Sequence, residues 1–116
     1  MGYYTSYEIT TEPSGELMRV MEALKDAFEV HYKPGQYPAK FIATFRPSAV
    51  SCEETKWYDH EKDMRFASGR CPDVLIHLRG EGSRNDDLWF KHFLNQKMQH
   101  CPAKITYNRY DPKKLK

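Results

Sequence analysis

Apolar and polar positions alternate at the start of the chain and then change their period. Between residues 3 and 11 every second position shares a face, with Tyr7 and Ile9 on one side, which predicts a strand. After Pro13 the apolar residues recur every three or four positions between 14 and 29, which predicts an amphipathic helix. The stripe on this helix comprises Leu17, Val20, Met21, Leu24, Ala27 and Phe28.

The middle of the chain predicts two further strands and a second helix. Residues 40–46 alternate with period two, and residues 51–58 form another candidate strand. A helix is predicted over 60–68, with Asp59 as its N-cap and Gly69 closing its end.

The last third predicts a central strand followed by a hairpin. Residues 74–79 are partly apolar on both faces, which favours a central strand, and 80–87 are predicted to be a polar loop. Strands over 88–94 and 97–101 flank a two-residue turn. Alternating apolar positions over 103–107 predict one last strand.

This order of elements predicts a fold class. It is typical of an α+β ferredoxin-like sandwich, here an antiparallel sheet with two helices on one face plus an extra C-terminal hairpin. We expect residues 1–108 to form a single domain and residues 109–116 to form a basic, solvated C-terminal tail. The second face of the sheet is expected to be exposed and rich in aromatic residues.

Composition limits the classes of function. The chain has 116 residues, a formal net charge of +2 and 14% aromatic residues, so one globular domain with an aromatic-rich core is expected. A net charge this small does not favour nucleic acid as the partner, because such domains usually carry a strong basic stripe. The opening residues lack the pattern of a signal peptide and no apolar run reaches spanning length, so we expect a cytoplasmic protein with no membrane partner.

Several residues are of the types that bind metals. They are Cys52, Asp59, His60, Cys71, His77, His92, His100 and Cys101. The sequence has no Cys-x-x-Cys or His-x-x-x-His pair, and structural zinc usually needs such local pairs because they lower the entropy of assembling the site. We therefore predict no native metal and no other cofactor. Three widely spaced cysteines also argue against a disulfide scaffold.

Catalysis has little support in the sequence. His60 has acidic neighbours at Asp59, Glu61 and Asp63, but a helix of this composition is usually a solvated face. Gly80-Glu81-Gly82 shares only its glycines with a phosphate-binding loop, since the carboxylates near it repel phosphate. A small enzyme or metal-binding protein therefore stays the second alternative.

Nucleic-acid binding is the first alternative, because the RNA-recognition motif shares this fold and stacks bases on exposed strand aromatics. The candidates for stacking are Tyr4, Phe41, Phe45, Trp89 and Phe93. They lack the Gly-Phe-x-Phe arrangement of that motif, and sheet aromatics more often belong to a core or to a protein contact.

Four segments of the second half resemble a known family. They are Trp57-Tyr58-Asp59-His60-Glu61-Lys62-Asp63-Met64, Pro72-Asp73-Val74-Leu75-Ile76-His77-Leu78, Gly80-Glu81-Gly82, and a Trp-bearing hairpin ending at Lys97-Met98-Gln99. Over about residues 55–99 this order is similar to small ferredoxin-like phage and plasmid proteins of the YubB-like type. The resemblance implies an accessory protein of a mobile element and carries over no catalytic residue. The stretch from Pro47 to Cys52 and the basic end depart from the family pattern.

Protein binding is the class of function that these observations favour. Small size, an excess of aromatic residues and a sequence without catalytic motifs are typical of a domain that binds another protein. The resemblance implies a non-enzymatic binding protein of a phage or other mobile element. We expect its partner to be a host protein or nucleoprotein complex in the host cytoplasm, as for an anti-CRISPR or other anti-defence inhibitor.

The stretch after the central strand supplies the candidate binding residues. A mixed-charge loop precedes a tryptophan at the start of the hairpin, and a loop held by two strands loses little entropy on binding. The candidates are Arg84, Asp86, Asp87, Trp89, Lys91 and Phe93. On that strand Trp89, Lys91 and Phe93 share one face. The other face is more apolar and carries Leu88, Phe90, His92 and Leu94. We therefore assign those positions to the core and expect Trp89 and Phe93 to be exposed.

Overall fold

The computed structural model of the chain describes residues 3–44, 48–84 and 86–116. These residues form an α+β domain with a six-stranded antiparallel sheet in the order β2-β3-β1-β4-β5-β6. The strands are β1 (Thr5–Glu12), β2 (Ile42–Ala43), β3 (Ala49–Thr55), β4 (Leu75–Gly82), β5 (Leu88–Leu94) and β6 (Lys97–Pro102). The helices are α1 (Leu17–His31) and α2 (His60–Arg70), with short 3-10 turns at Ser14–Glu16 and Pro112–Lys114.

Both helices pack on one face of the sheet, and the core lies between them and the strands. The apolar stripe predicted for the first helix is confirmed, since its residues Val20 and Leu24 are buried against the sheet. Ile9, Ile76 and Phe93 supply the opposing wall from the sheet. Burial of this apolar surface is the main force that fixes the helices on the sheet.

The predicted hairpin of β5 and β6 is confirmed. Asn95 and Gln96 connect the strands with φ angles of 46° and 70°, which is the left-handed pair that a type I′ hairpin turn requires. The predicted second helix is also present. It runs on through Gly69 to Arg70, and Asp59 makes no side-chain capping hydrogen bond at its start.

Several predicted boundaries differ from the structure. The strand predicted over 51–58 runs from Ala49 to Thr55. The strand over 40–46 is reduced to Ile42–Ala43 among the described residues, while 45–47 lie outside them. The loop predicted over 80–87 starts later, because β4 continues to Gly82. The last strand predicted over 103–107 is wrong, since regular pairing ends at Pro102.

The expected exposure of Trp89 and Phe93 is also wrong. Phe93 is 0% and Lys91 7% exposed, whereas Phe90 is 41% exposed on the other face. Pairing explains the reversal, because Trp89 lies opposite Gly80 and Phe93 lies opposite Ile76, and both β4 positions face the helices. The prediction compared the two faces of β5 alone, whereas the pairing with β4 decides which face of β5 points towards the helices.

The outer face of the sheet has fewer aromatic residues than predicted. Phe41 packs on the core with its ring centroid 5.6 Å from that of Trp57, and Phe45 lies outside the described residues. Tyr4 is 45% exposed but precedes the first strand. Phe90 lies on that face beside His92, with the two rings stacked at 5.8 Å. The aromatic platform expected for base stacking is therefore not formed by the described candidates.

Residues 103–116 leave the sheet after β6 and are called the arm below. The backbone N–H of Ala103 still donates to the carbonyl of Leu88 at 2.9 Å. Beyond this bond every arm residue except Asp111 is exposed. Within the described residues, helices of membrane-crossing length and apolarity are lacking.

Candidate functional site

A cleft of about 370 Å³ opens beside the start of α2, at the edge of the sheet face that carries the helices. Its walls come from Tyr3 and the start of β1, the segment before α2, the loop after β4 and the hairpin. The lining residues are Tyr3, Thr5, Tyr7, Trp57, Tyr58, His60, Asp86, Asp87, Leu88, Trp89, Lys91, His100, Pro102 and Ala103. We refer to this feature as the cleft.

Three aromatic rings form the floor of the cleft. The ring centroid of Tyr7 lies 5.2 Å from that of Trp57 and 6.0 Å from that of Trp89, both in edge-to-face geometry. Trp57 is only 1% exposed. Burial raises the pKa of Tyr7 to about 12, so its hydroxyl stays protonated and donates to the carbonyl of Trp57 at 3.2 Å. Such a floor is rigid because each ring packs against another.

Two glycines of β4 make room for the cleft residues. A Cβ atom at Gly80 would overlap the indole of Trp89, which lies directly across the strand pair. A Cβ atom at Gly82 would overlap the side chains of Asp87 and Tyr3. Glycine at these two positions therefore lets bulky neighbours lie against the strand backbone.

A hydrogen-bonded chain of polar groups crosses one wall of the cleft. His60 donates from Nδ1 to the carbonyl of Trp57 at 2.9 Å. Lys91 Nζ donates to His60 Nε2 and to Glu61 Oε2, each at 2.7 Å. The imidazole also stacks on Trp89, with centroids 5.3 Å apart and planes at 19°. Both ring nitrogens of His60 are therefore engaged by neighbours.

These contacts fix the protonation states on this wall. Burial lowers the pKa of His60, and the Lys91 ammonium lowers it further, so the imidazole is neutral near neutral pH. The hydrogen bond from Lys91 lowers the pKa of Glu61. Lys91 Nζ also lies 4.5 Å from the centroid of the Trp89 ring. The ammonium charge is thus balanced by Glu61 and supported by the indole.

A buried carboxylate holds the cleft to the helices. Asp63 is 0% exposed and accepts hydrogen bonds from Trp57 Nε1 and the Tyr32 hydroxyl, each at 2.7 Å. His31 Nδ1 lies 2.6 Å from the other carboxylate oxygen. Burial and the bond to Asp63 raise the pKa of Tyr32. The expectation that Asp63 belongs to a solvated helix face is therefore wrong, because its three partners come from outside its own helix.

The rim of the cleft carries the negative charges. Asp86 is exposed, and Asp87 accepts a hydrogen bond from the Tyr3 hydroxyl at 2.6 Å. The backbone N–H of Arg84 donates to the oxygen of Tyr3 at 3.1 Å, and its guanidinium lies 5.9 Å from the Tyr3 ring. Tyr3 thus fastens the loop that follows β4.

Four of the six predicted binding residues meet in this cleft. They are Asp86, Asp87, Trp89 and Lys91. Arg84 is exposed beside the rim, whereas Phe93 lies in the core beneath the helices.

Sequence reasoning did not single out Tyr7 or Trp57 for the site, and it considered His60 with Glu61 only for acid–base catalysis. The glycine pair at Gly80 and Gly82 was the available signal. Two glycines that share one face of a strand indicate that bulky side chains approach it.

The candidate metal ligands do not converge among the described residues. Cys52 and Cys71 are buried and Cys101 is half-buried, all as free thiols. His77 and His92 face each other on the outer face of the sheet, with their Nδ1 atoms 2.7 Å apart.

Comparisons with protein-family models, with curated proteins and with solved structures found no match to this chain. The residues of the cleft and the arm are therefore the basis for any assignment of function.

Proposed function

We propose that this chain is a non-enzymatic protein-binding domain and that its cleft receives a side chain of the partner protein. The observation that carries the proposal is the meeting of Asp86, Asp87, Trp89 and Lys91 in one concave site with an aromatic floor. A concave and largely apolar site with a few placed polar groups is the usual form of a binding pocket.

The internal hydrogen bonds of the cleft favour binding over acid–base catalysis. A general base needs a nitrogen or oxygen that can reach a proton of the substrate. His60 uses both ring nitrogens within the protein, and Lys91 is held by Glu61. Groups fixed in this way supply a rigid surface, and rigidity lowers the entropy cost of binding.

Charge and ring placement favour a cationic side chain as the anchor of the partner. Lys91 is balanced by Glu61 and His60 is neutral, so Asp86 and Asp87 give the rim a negative charge. The ring of Tyr58 lies at the rim and is 67% exposed. A lysine or arginine side chain that enters here meets carboxylates and aromatic faces together.

The resemblance of residues 55–99 to YubB-like phage and plasmid proteins extends the proposal. On that basis the partner is a host protein or nucleoprotein complex, and the chain acts as an anti-CRISPR or other anti-defence inhibitor in the host cytoplasm. This extension has the resemblance as its support, and the cleft supports protein binding alone.

We also propose that the fold is a ferredoxin-like sandwich extended by a hairpin. The order β2-β3-β1-β4, with α1 after β1 and α2 after β3, supports this assignment. Strands β5 and β6 are then the addition, and β5 supplies Trp89 and Lys91 to the cleft.

A selection of displayed random peptides on the immobilised protein tests the function and needs no identified partner. Enriched peptides are then titrated against the wild type, Tyr58→Ala and Asp86→Asn by fluorescence anisotropy. Tyr110→Ala is the matched control, because Tyr110 is 72% and Tyr58 67% exposed but Tyr110 lies outside the lining of the cleft.

We expect the enriched peptides to share a lysine or arginine. Tyr58→Ala should weaken their binding by about 2 kcal/mol if the ring is a hot spot, whereas Tyr110→Ala should leave it unchanged. Failure to enrich any peptide over an unrelated control domain would contradict the proposal. Equal binding to the wild type and both cleft variants would contradict it as well.

A further inference from the structure

The arm concentrates the positive charge of the chain. It holds five of the 18 lysines and arginines and one of the 16 acidic residues, so its formal charge is +4 while residues 1–102 carry −2. The five cations are Lys104, Arg109, Lys113, Lys114 and Lys116. The small net charge of the whole chain conceals this separation, and a basic segment of this kind attracts polyanions.

The arm also presents aromatic rings outward. Tyr107 is 90% and Tyr110 72% exposed, so each ring offers its faces to solvent. The two rings flank Arg109, which is exposed as well. Exposed tyrosines have no packing role in the body of the protein, and they alternate with cations in a segment without regular pairing.

We infer that the arm binds single-stranded nucleic acid. Its lysines and Arg109 contact the phosphates, and the rings of Tyr107 and Tyr110 stack on bases. Single strands are the form that offers unpaired base faces for such stacking, and cationic segments with interleaved aromatics bind them with little sequence preference. The nucleic-acid contact thus belongs to the arm and not to the sheet face.

The position of the arm suits a nucleoprotein partner. Pro102 and Ala103, where the arm begins, also line the cleft. A protein side chain held in the cleft would then leave the arm beside any nucleic acid bound to the same partner. The inference itself does not depend on the cleft, because the cations and rings that carry it lie beyond Ala103.

Two alternative polyanions fit the arm less well. An acidic protein segment would engage the cations but offers no planar face for the two exposed rings. An anionic membrane surface would favour an amphipathic helix, whereas the arm outside Pro112–Lys114 has no helical turn.

Titration of a fluorescein-labelled (dT)20 strand with the full chain, at several salt concentrations, tests the inference. With up to five phosphate contacts, the plot of log K against log salt should have a slope of up to about −3.5, from roughly 0.7 for each contact on a single strand. Lys113→Gln with Lys114→Gln should make that slope less negative by about 1.4. Lys62→Gln with Lys97→Gln removes the same charge outside the arm and should change neither slope nor affinity.

Tyr107→Ala separates stacking from charge. It should weaken binding about tenfold at every salt concentration and leave the slope unchanged, because a stacked base contributes a salt-independent term. A chain ending at Pro102 should lose binding to (dT)20 altogether. It keeps all six strands and both helices of the described fold.

Four outcomes of the nucleic-acid titrations would overturn the inference, and a fifth comes from vesicles. The four are no binding at about 50 mM salt, equal affinity of the chain ending at Pro102, equal affinity for a duplex of the same length, and equal displacement by polyglutamate of the same charge. Tighter binding to vesicles that contain phosphatidylserine than to (dT)20 would also overturn it in favour of a lipid surface. None of these results bears on peptide binding in the cleft.

Discussion

The cleft and the arm both combine aromatic and charged side chains, but these side chains are packed together in the cleft and exposed in the arm. In the cleft the rings of Tyr7 and Trp57 pack on each other, and a buried lysine is held by a carboxylate and an imidazole. In the arm Tyr107 and the cations are exposed, and the Asp111 side chain accepts a local bond from the N–H of Lys113 at 2.9 Å.

The difference teaches where binding energy would come from in each region. Side chains of the cleft are ordered before any partner arrives, so binding there loses little conformational entropy. The exposed side chains of the arm lose rotamer freedom when they bind, and a long-range charge attraction can compensate for that cost only at low salt. We therefore expect selective binding at the cleft and salt-dependent, tolerant binding at the arm.

The largest expected effect is on the carboxylate that supports the cleft. Asp63→Ala leaves the donors of Trp57, Tyr32 and His31 without their acceptor, so the free energy of unfolding should fall by about 3–5 kcal/mol. Urea denaturation followed by circular dichroism measures this change.

Asp59→Ala is the control for that substitution. Asp59 is exposed at the start of the same helix and makes no side-chain capping bond, so its loss should cost less than about 0.5 kcal/mol. Equal losses for the two variants would mean that Asp63 is not the centre of a buried network.

The next largest effect is expected for a substitution of a glycine in β4. Gly80→Ala forces a methyl group against the indole of Trp89, and overpacking of this kind costs about 1–3 kcal/mol. It should also weaken the binding of selected peptides, because Trp89 has to shift. Gly15→Ala is the matched control, since a Cβ atom at Gly15 meets nothing within 4 Å. Retained peptide affinity in Gly80→Ala would separate Trp89 from the binding site.

The fold was more predictable from the sequence than the cleft, for a physical reason. The period of Leu17, Val20 and Leu24 is local, so it predicts the first helix and its buried side directly. The orientation of Trp89 depends on which β4 residue lies across the strand pair, and Gly80 occupies that place. Such information is nonlocal and a single strand does not contain it.

The burial of Asp63 was also not predictable from its own segment of the sequence. An aspartate on a helix rich in charged residues is expected to be exposed to solvent. The burial of Asp63 depends on hydrogen-bond donors that are far away along the chain, such as His31 and Tyr32. The candidate residues Asp86 and Asp87 were found because loops between strands are surface segments by default.

A smaller effect concerns pH and the wall formed by His60. Burial and Lys91 lower the pKa of His60 in the folded chain, so the unfolded chain takes up the proton first as the pH falls. The stability linked to this group is complete above about pH 6.5, the ordinary value, and is lost as the pH falls towards the lowered value. The slope stays below the ceiling of about 1.4 kcal/mol per pH unit for one group.

Urea titrations between pH 8 and 5 on the wild type and His60→Gln measure this dependence. The variant should lose part of the slope, because glutamine accepts the bond from Lys91 without titrating. His92→Gln is a useful second variant, since burial and His77 lower the pKa of His92 on the outer face. An unchanged slope in His60→Gln would show that the imidazole is not held neutral by the cleft.

The smallest expected effect is removal of the arm. A chain that ends at Pro102 retains the whole sheet and the core, and it loses only residues that are exposed or, at Asp111, half-buried. Its free energy of unfolding should therefore differ from that of the full chain by less than about 0.5 kcal/mol. Its affinity for peptides selected on the cleft should also persist, because the lining residues up to Pro102 remain. A clear fall in the melting temperature would mean that the arm packs on the body in solution, and the contrast between an ordered cleft and an unsupported arm would then be lost.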